Sequence, residues 1–187
     1  MKQTQKIPCY KGSDPYIFIS YSHRDIDAVY PILKRMRADG YRFWYDNGID
    51  PGKEWDDMIA GKICDCGYFI AFISANSIAS DNCKDELNYS RDLGKKRLLI
   101  YLENVELPRG MAMRLNRLQS IHKYAYANEE DFYEILHTAD GISIAAGEAE
   151  KPAEKPAAAP APKAEAADDL SGKPRLGVTI ADVNTSS

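Results

Sequence analysis

The sequence predicts an α/β fold: an open, doubly wound sheet of five mainly parallel strands in flavodoxin-like order, with helices on both faces. Three observations predict it. Apolar runs such as "YIFIS" (16–20) and "YFIAFIS" (68–74) are short and continuous, which is the pattern of strands buried on both faces. Between the runs, apolar residues recur at helical spacing. Strand and helix patterns then alternate along the chain, as parallel strands joined by helical crossovers require.

The first strand, 16–20, is bounded in front by Asp14-Pro15. Ile26, Val29, Ile32, Leu33 and Met36 then mark a helix that Gly40 stops. Pro31 falls inside that pattern and either kinks the helix or marks the first turn of its regular part. "YRFWYD" (41–46) is the second strand, and "NGIDPGKEW" is a turn-rich loop leading to a short helix over 55–66. The third strand, 68–74, is followed by a helix that starts at Ser80 to Asn82 and runs to about Asp92. "RLLIYLE" (97–103) is the fourth strand. After a long irregular stretch, "SIHKYAY" (120–126) is a weaker fifth, and "NEEDFYEILHTA" is a last amphipathic helix capped by Asn128.

Composition divides the chain of 187 residues. Residues 1–14 are an N-terminal lead and 15–144 the globular domain. Residues 145–175 are rich in Pro, Ala, Glu and Lys, with almost no large apolar side chains, and so form a disordered linker. Residues 176–187 are a tail or the start of a further segment. The net charge of −4, with the signs interspersed, argues against a nucleic-acid surface. No apolar run approaches the roughly 20 residues of a membrane span, no signal peptide precedes the first strand, and a cytoplasmic location is expected. Cys9, Cys64, Cys66 and Cys83 show no paired metal spacing, so no metal site is expected and the thiols are reduced.

In a doubly wound sheet, ligands bind beyond the carboxyl ends of the strands. That rule selects Ser20 to His23, Asp46 to Glu54 and Ser74 to Asn82, with Glu86 one turn into the next helix. No G-x-G-x-x-G or Walker loop is present, and nothing suggests a Ser/His/Asp triad. A response-regulator receiver is excluded because "ISYSH" and "FISAN" lack its strand-end acids.

The same segments resemble a known family. "FISYSHRD" (18–25) looks like the first box of Toll/interleukin-1 receptor (TIR) domains, "GYRFWYD" (40–46) like their second strand, and "GIDPGKEWDDMI" (48–59) like the BB loop and following helix. "YFIAFISANSIASDNCKDELNYS" (68–90) is similar to the third strand and the next helix, with Ser80, Cys83 and Glu86 in the S-x-x-C-x-x-E spacing of the NAD-cleaving members. The resemblance covers roughly 15–139. It implies the TIR fold and cleavage of NAD⁺, as substrate and not cofactor, into nicotinamide and ADP-ribose or a cyclised ADP-ribose. It also implies activation by self-association with other TIR domains, a downstream effector sensing a cyclic product, and a role in bacterial anti-phage defence. The alternative class is a non-catalytic TIR adaptor or host-signalling mimic.

The chemistry suits one carboxylate. Nicotinamide leaves a pyridinium as a neutral molecule and needs no general acid, so a single Glu can stabilise the oxocarbenium-like ribose electrostatically. Glu86 must be ionised for this, and its place near a helix start favours the carboxylate by about 0.3–1 kcal/mol. Cys83 and Leu87 fall on the buried stripe, and Glu86 lies some 100° around the helix from Leu87. By the resemblance, Asp50 matches a ribose-side acid of the BB loop, while the residue alone reads equally as a turn former before Pro51. Ser22 and His23 match positions near the phosphates or the ribose, with Arg24 as a helper. Tyr21 either stacks on a ring or closes the core edge. Asn82 stands where several relatives carry a tryptophan that packs on nicotinamide, and it offers hydrogen bonds in place of stacking.

Overall fold

The computed structural model describes residues 7–48 and 55–147. Asp50 with the rest of segment 49–54, and the linker and tail from 148 onward, lie outside the described residues. Five strands run in the order β2-β1-β3-β4-β5, and every pairing between them is parallel. They are β1 (Ile17–Ser20), β2 (Phe43–Tyr45), β3 (Tyr68–Ile73), β4 (Arg97–Tyr101) and β5 (Gln119–His122). This is the flavodoxin-like order, with its switch point between β1 and β3.

The apolar runs are continuous because both faces of the sheet are covered. Ile17 and Ile19 enter one core with Phe43, Tyr45, Ile70 and Phe72, and Phe18 enters the other with Trp44, Phe69 and Ala71. Helices α1 (Ile26–Ala38) and α6 (Glu129–His137) cover the first face through Val29, Ile32, Leu33, Met36, Phe132 and Leu136. Helices α2 (Trp55–Asp65), α4 (Asp81–Asp92) and α5 (Arg109–Leu115) cover the second through Ile59, Ile63, Leu87 and Leu115. Each buried Leu, Ile or Phe contributes about 1.5–3 kcal/mol of transfer free energy.

Helix α1 passes through Pro31, which faces solvent, so the carbonyl it leaves unpaired can be hydrated. Its end is a Schellman motif: Gly40, at φ 88°, donates its N–H to Arg37 O, and Tyr41 donates to Met36 O. Two helices go beyond the sequence expectation. Helix α3 (Ala75–Ala79) is opened by a capping box between Ser74 and Ser77, and α5 occupies the stretch expected to be irregular. Conversely β5 stops at His122 and gives way to a 3-10 turn at Lys123–Ala125, short of the expected 126.

Both flanks of the domain are tied to the sheet. Tyr10 N–H donates to Phe43 O, and Tyr45 Oη donates to Ile7 O, so residues 7–10 cover the open side of edge strand β2. Beyond Ile144, Ala145 is buried and accepts from Arg42 N–H, and Gly147 N–H donates to Gly40 O. Among the described residues no helix is long and apolar enough to cross a membrane.

Candidate functional site

Because the strands are parallel, their carboxyl ends open onto one edge. A cavity of about 410 Å³ lies there, lined from β1 by Tyr21, Ser22, His23 and Arg24, from β2 by Asp46, and from the α3–α4 segment by Asn76, Ser80, Asn82, Cys83 and Glu86. Trp55, the first residue of α2, completes the wall. The structure thus brings five of the six expected residues, Tyr21, Ser22, His23, Asn82 and Glu86, to one cavity. The sixth, Asp50, lies outside the described residues.

Glu86 is aimed by its helix. Ser80 caps α4, its hydroxyl accepting from Cys83 N–H, and the cap sets the register that turns Cys83 and Leu87 into the core. The Glu86 carboxylate accepts a 2.6 Å hydrogen bond from Ser20 Oγ at the end of β1. Burial pushes the Glu86 carboxyl up to about 7, the Ser20 bond opposing it, Asp46 adding to it and His23 drawing it down. Burial thus acts against the small preference for the carboxylate expected from the helix start. As the sixth residue of α4, Glu86 lies beyond the turn where the macrodipole acts. The net displacement, worth roughly 3 kcal/mol with burial as its main cause, outweighs that preference.

The loops around Glu86 are braced by hydrogen bonds. His23 Nε2 pairs with Asp46 Oδ2 at 3.2 Å, and this bond raises the imidazole above its usual range against the opposing effect of burial. Tyr21 Oη donates to Asp46 O at 2.7 Å, and Gly48 N–H donates to Asp46 Oδ1. Tyr21 is buried in the first core and burial raises its phenol, so it closes the core edge while its ring also borders the cavity. Asp25 accepts from both Ser74 Oγ and Asn76 Nδ2, locking the turn after β1 to the start of α3. Cys83 is buried and its thiol is pushed up to about 11, so it is a packing group and not a nucleophile at neutral pH.

The arrangement presents the carboxyls of Glu86 and Asp46, the latter paired with His23, on a partly apolar wall, with imidazole, guanidinium and amide donors on the same cavity. It can stabilise a developing positive charge at Glu86 while holding an anionic group at His23 and Arg24. Trp55 was not singled out from the sequence, and Ser20 and Asp46 were gathered by the strand-end rule without a role of their own. Ser20 and Asp46 do share one signal, since each stands at the end of an apolar strand.

Comparison with known proteins follows the same lines. The family model described as "TIR domain" matches residues 17–136. No curated protein matches the chain. Among solved structures, the TIR domain of the Toll-related receptor TRR-2 from Hydra magnipapillata superposes with a TM-score of 0.53 at 15% identity, covering 65% of this chain and 94% of that one. This is a likeness of fold. The CMP N-glycosidase BcmB of Clostridium botulinum matches at TM-score 0.46 and 20% identity, over 65% of this chain and 98% of its own. A 2-desoxiribosyltransferase from Leishmania mexicana matches at 0.43 and 14%, over 67% of this chain and 99% of its own.

Proposed function

The chain belongs to the TIR-domain family, and from that premise we propose that it is an NAD⁺ nucleosidase that cleaves the nicotinamide–ribose bond through Glu86. The observation that carries the reading is the placement of the Glu86 carboxylate, held by Ser20, in the cavity shared by Tyr21, Ser22, His23 and Asn82.

The C–N bond breaks with its electron pair passing to the pyridinium nitrogen, so nicotinamide departs neutral. The positive charge moves to the ribose, where an ionised Glu86 stabilises it. Water, or an oxygen or nitrogen of the same dinucleotide, then adds to the ribose carbon; with water, one proton is released to solvent. A carboxyl that rests near neutrality suits this cycle, because the approaching pyridinium cation favours its ionised form. His23, held by Asp46, and Arg24 supply donors for the diphosphate. For Asp50, the resemblance alone supports a role on the ribose side.

The resemblance carries the wider setting: activation by self-association of TIR domains, ADP-ribose or a cyclised product read by a downstream effector, and anti-phage defence in the cytoplasm. The test is to incubate the purified chain, concentrated or crowded, with NAD⁺ and to separate the products. Nicotinamide together with a linear or cyclised ADP-ribose is expected, and intact NAD⁺ under every assembly condition contradicts the reading.

A further inference from the structure

A separate cluster of charge lies on another flank of α4. Lys84, Leu87, Asn88 and Arg91 recur at i, i+3, i+4 and i+7 and so form one stripe of the helix, and Glu86 is some 160° around it from both Lys84 and Asn88. A cleft of about 50 Å³ lies between this stripe and α5, beside Arg97 at the amino end of β4. Among the described residues four cations line it, Lys84, Arg91, Arg97 and Arg114, and no carboxylate does.

We propose that this cleft binds a phosphate dianion, free or as the terminal group of a phosphomonoester, which bridges α4, β4 and α5. Charge and size agree on that class. Lys84 is paired with Asp81 and Arg91 with Asp92, whereas Arg97 and Arg114 form no ion pair among the described residues, so two positive charges are left over. The volume has room for roughly three to five waters, the bulk of one tetrahedral oxyanion. Leu87, Met111 and Leu115 complete the lining, and their apolar surface strengthens charge interactions beside it. Guanidinium groups match phosphate oxygens with two parallel N–H donors each.

Arg97 supplies the independent sign of an anion. Its Nε is buried without a hydrogen-bond partner, and it is the one charged side chain among the described residues of which this is true. Such a group is costly in a folded protein, and a bound ion is one of the few reasons for it to persist. Burial and the neighbouring Arg91 hold the Arg97 guanidinium below its usual range, and Asp92 only partly opposes them. An oxyanion between the two arginines removes that like-charge penalty. Arg114 is already held beside α4, its Nη1 donating to Asn88 Oδ1 at 3.2 Å, which lowers the ordering cost of recruiting it.

The test titrates the full chain with inorganic phosphate and with glycerol 3-phosphate, by calorimetry at fixed ionic strength and a pH where both are dianions. One equivalent is expected to bind. Arg114→Gln, at an exposed position, and Arg97→Met, which also removes the unmet buried donor, are each expected to weaken binding about tenfold or more, the effect of one charge-assisted contact. Circular dichroism confirms the fold of both. Arg24→Gln is expected to leave this equivalent in place. Tighter binding of the ester supports the site as one for a phosphomonoester, and equal or tighter binding of inorganic phosphate supports it as one for the free ion. Binding lost in Arg24→Gln and kept in Arg114→Gln places the anion at the carboxyl edge and overturns the proposal. Failure of both probes to bind overturns it too. So does a fall in particle mass by light scattering in Arg114→Gln with phosphate binding intact, which makes the cleft a contact between copies of the chain. The nucleosidase reading is tested separately, by nicotinamide release.

Discussion

Ser20 Oγ donates a 2.6 Å hydrogen bond to Glu86 Oε2, joining the end of β1 to the second turn of α4 across 66 residues of sequence. Ser20 is buried and pairs in register with Ala71 of β3, so the donor is fixed by the sheet itself. The bond stabilises the charged form of a carboxyl that burial otherwise neutralises.

The first prediction concerns pH. Glu86 acts ionised and its carboxyl is pushed up to about 7, so kcat/KM is expected to rise with pH through that value and flatten above it. Ser20→Ala removes a donor to the charged form and should move this limb to higher pH, leaving the alkaline plateau less affected than the rate at pH 7. A pH–rate profile of the two proteins checks it; coincident limbs would mean that Ser20 does not act on Glu86.

Stability should run in the opposite sense to activity. A carboxyl raised from 4.5 to about 7 on folding binds its proton more tightly in the native state. Its contribution is present below the unfolded value and is lost as pH rises through the folded one. Glu86→Gln, neutral at every pH, is therefore expected to gain on wild type between pH 5 and pH 8 by about 2 kcal/mol, allowing for solvent in the cavity. Urea denaturation midpoints at the two pH values measure the gap. A gap that does not change with pH would show that Glu86 titrates like an exposed carboxylate.

Much of this was legible in the chain, for physical reasons. Strands β1 and β3 announced themselves because burial on both faces removes alternation, and Gly40 marked the end of α1 because its φ of 88° suits glycine. Helix α3 did not, since five residues are too few to show a period and its signal is a local Ser74–Ser77 box. Strand β5 was drawn too long because at this edge only Ile121 is buried, leaving little pattern to bound it. The site followed the same division. Tyr21, Ser22, His23, Asn82 and Glu86 stand at or just beyond strand ends and could be gathered by the edge rule. Ser20 reads as the last residue of a buried strand. The value of Asp46 emerges only when β2 lies beside β1, with Tyr45 in register with Ile19.

His23 offers a separate check on the electrostatics. Its hydrogen bond with Asp46 is the main cause of its raised value, so Asp46→Asn should return the imidazole toward its ordinary range. Proton NMR titration of the histidine ring signals follows this directly. KM for NAD⁺ at pH 7.5 is expected to rise by a few fold, about the effect of weakening one charge-assisted contact to phosphate. An unmoved His23 titration would place the origin of its shift elsewhere.

Self-association predicts a concentration dependence. If neighbouring TIR domains complete one another's sites, specific activity should climb with protein concentration and with crowding, in step with the appearance of higher-mass species in light scattering. Constant specific activity across a dilution series of about a hundredfold would show a site complete in each monomer.

The central claim is that the Glu86 carboxylate stabilises the ribose cation as nicotinamide departs. The most direct measurement is the rate of nicotinamide release from NAD⁺ by wild type and by Glu86→Gln, which keeps the side chain's shape and removes its charge, with circular dichroism confirming the fold of both. The account predicts a loss of at least about a hundredfold in kcat for Glu86→Gln. Release at the wild-type rate by a folded Glu86→Gln protein would contradict it.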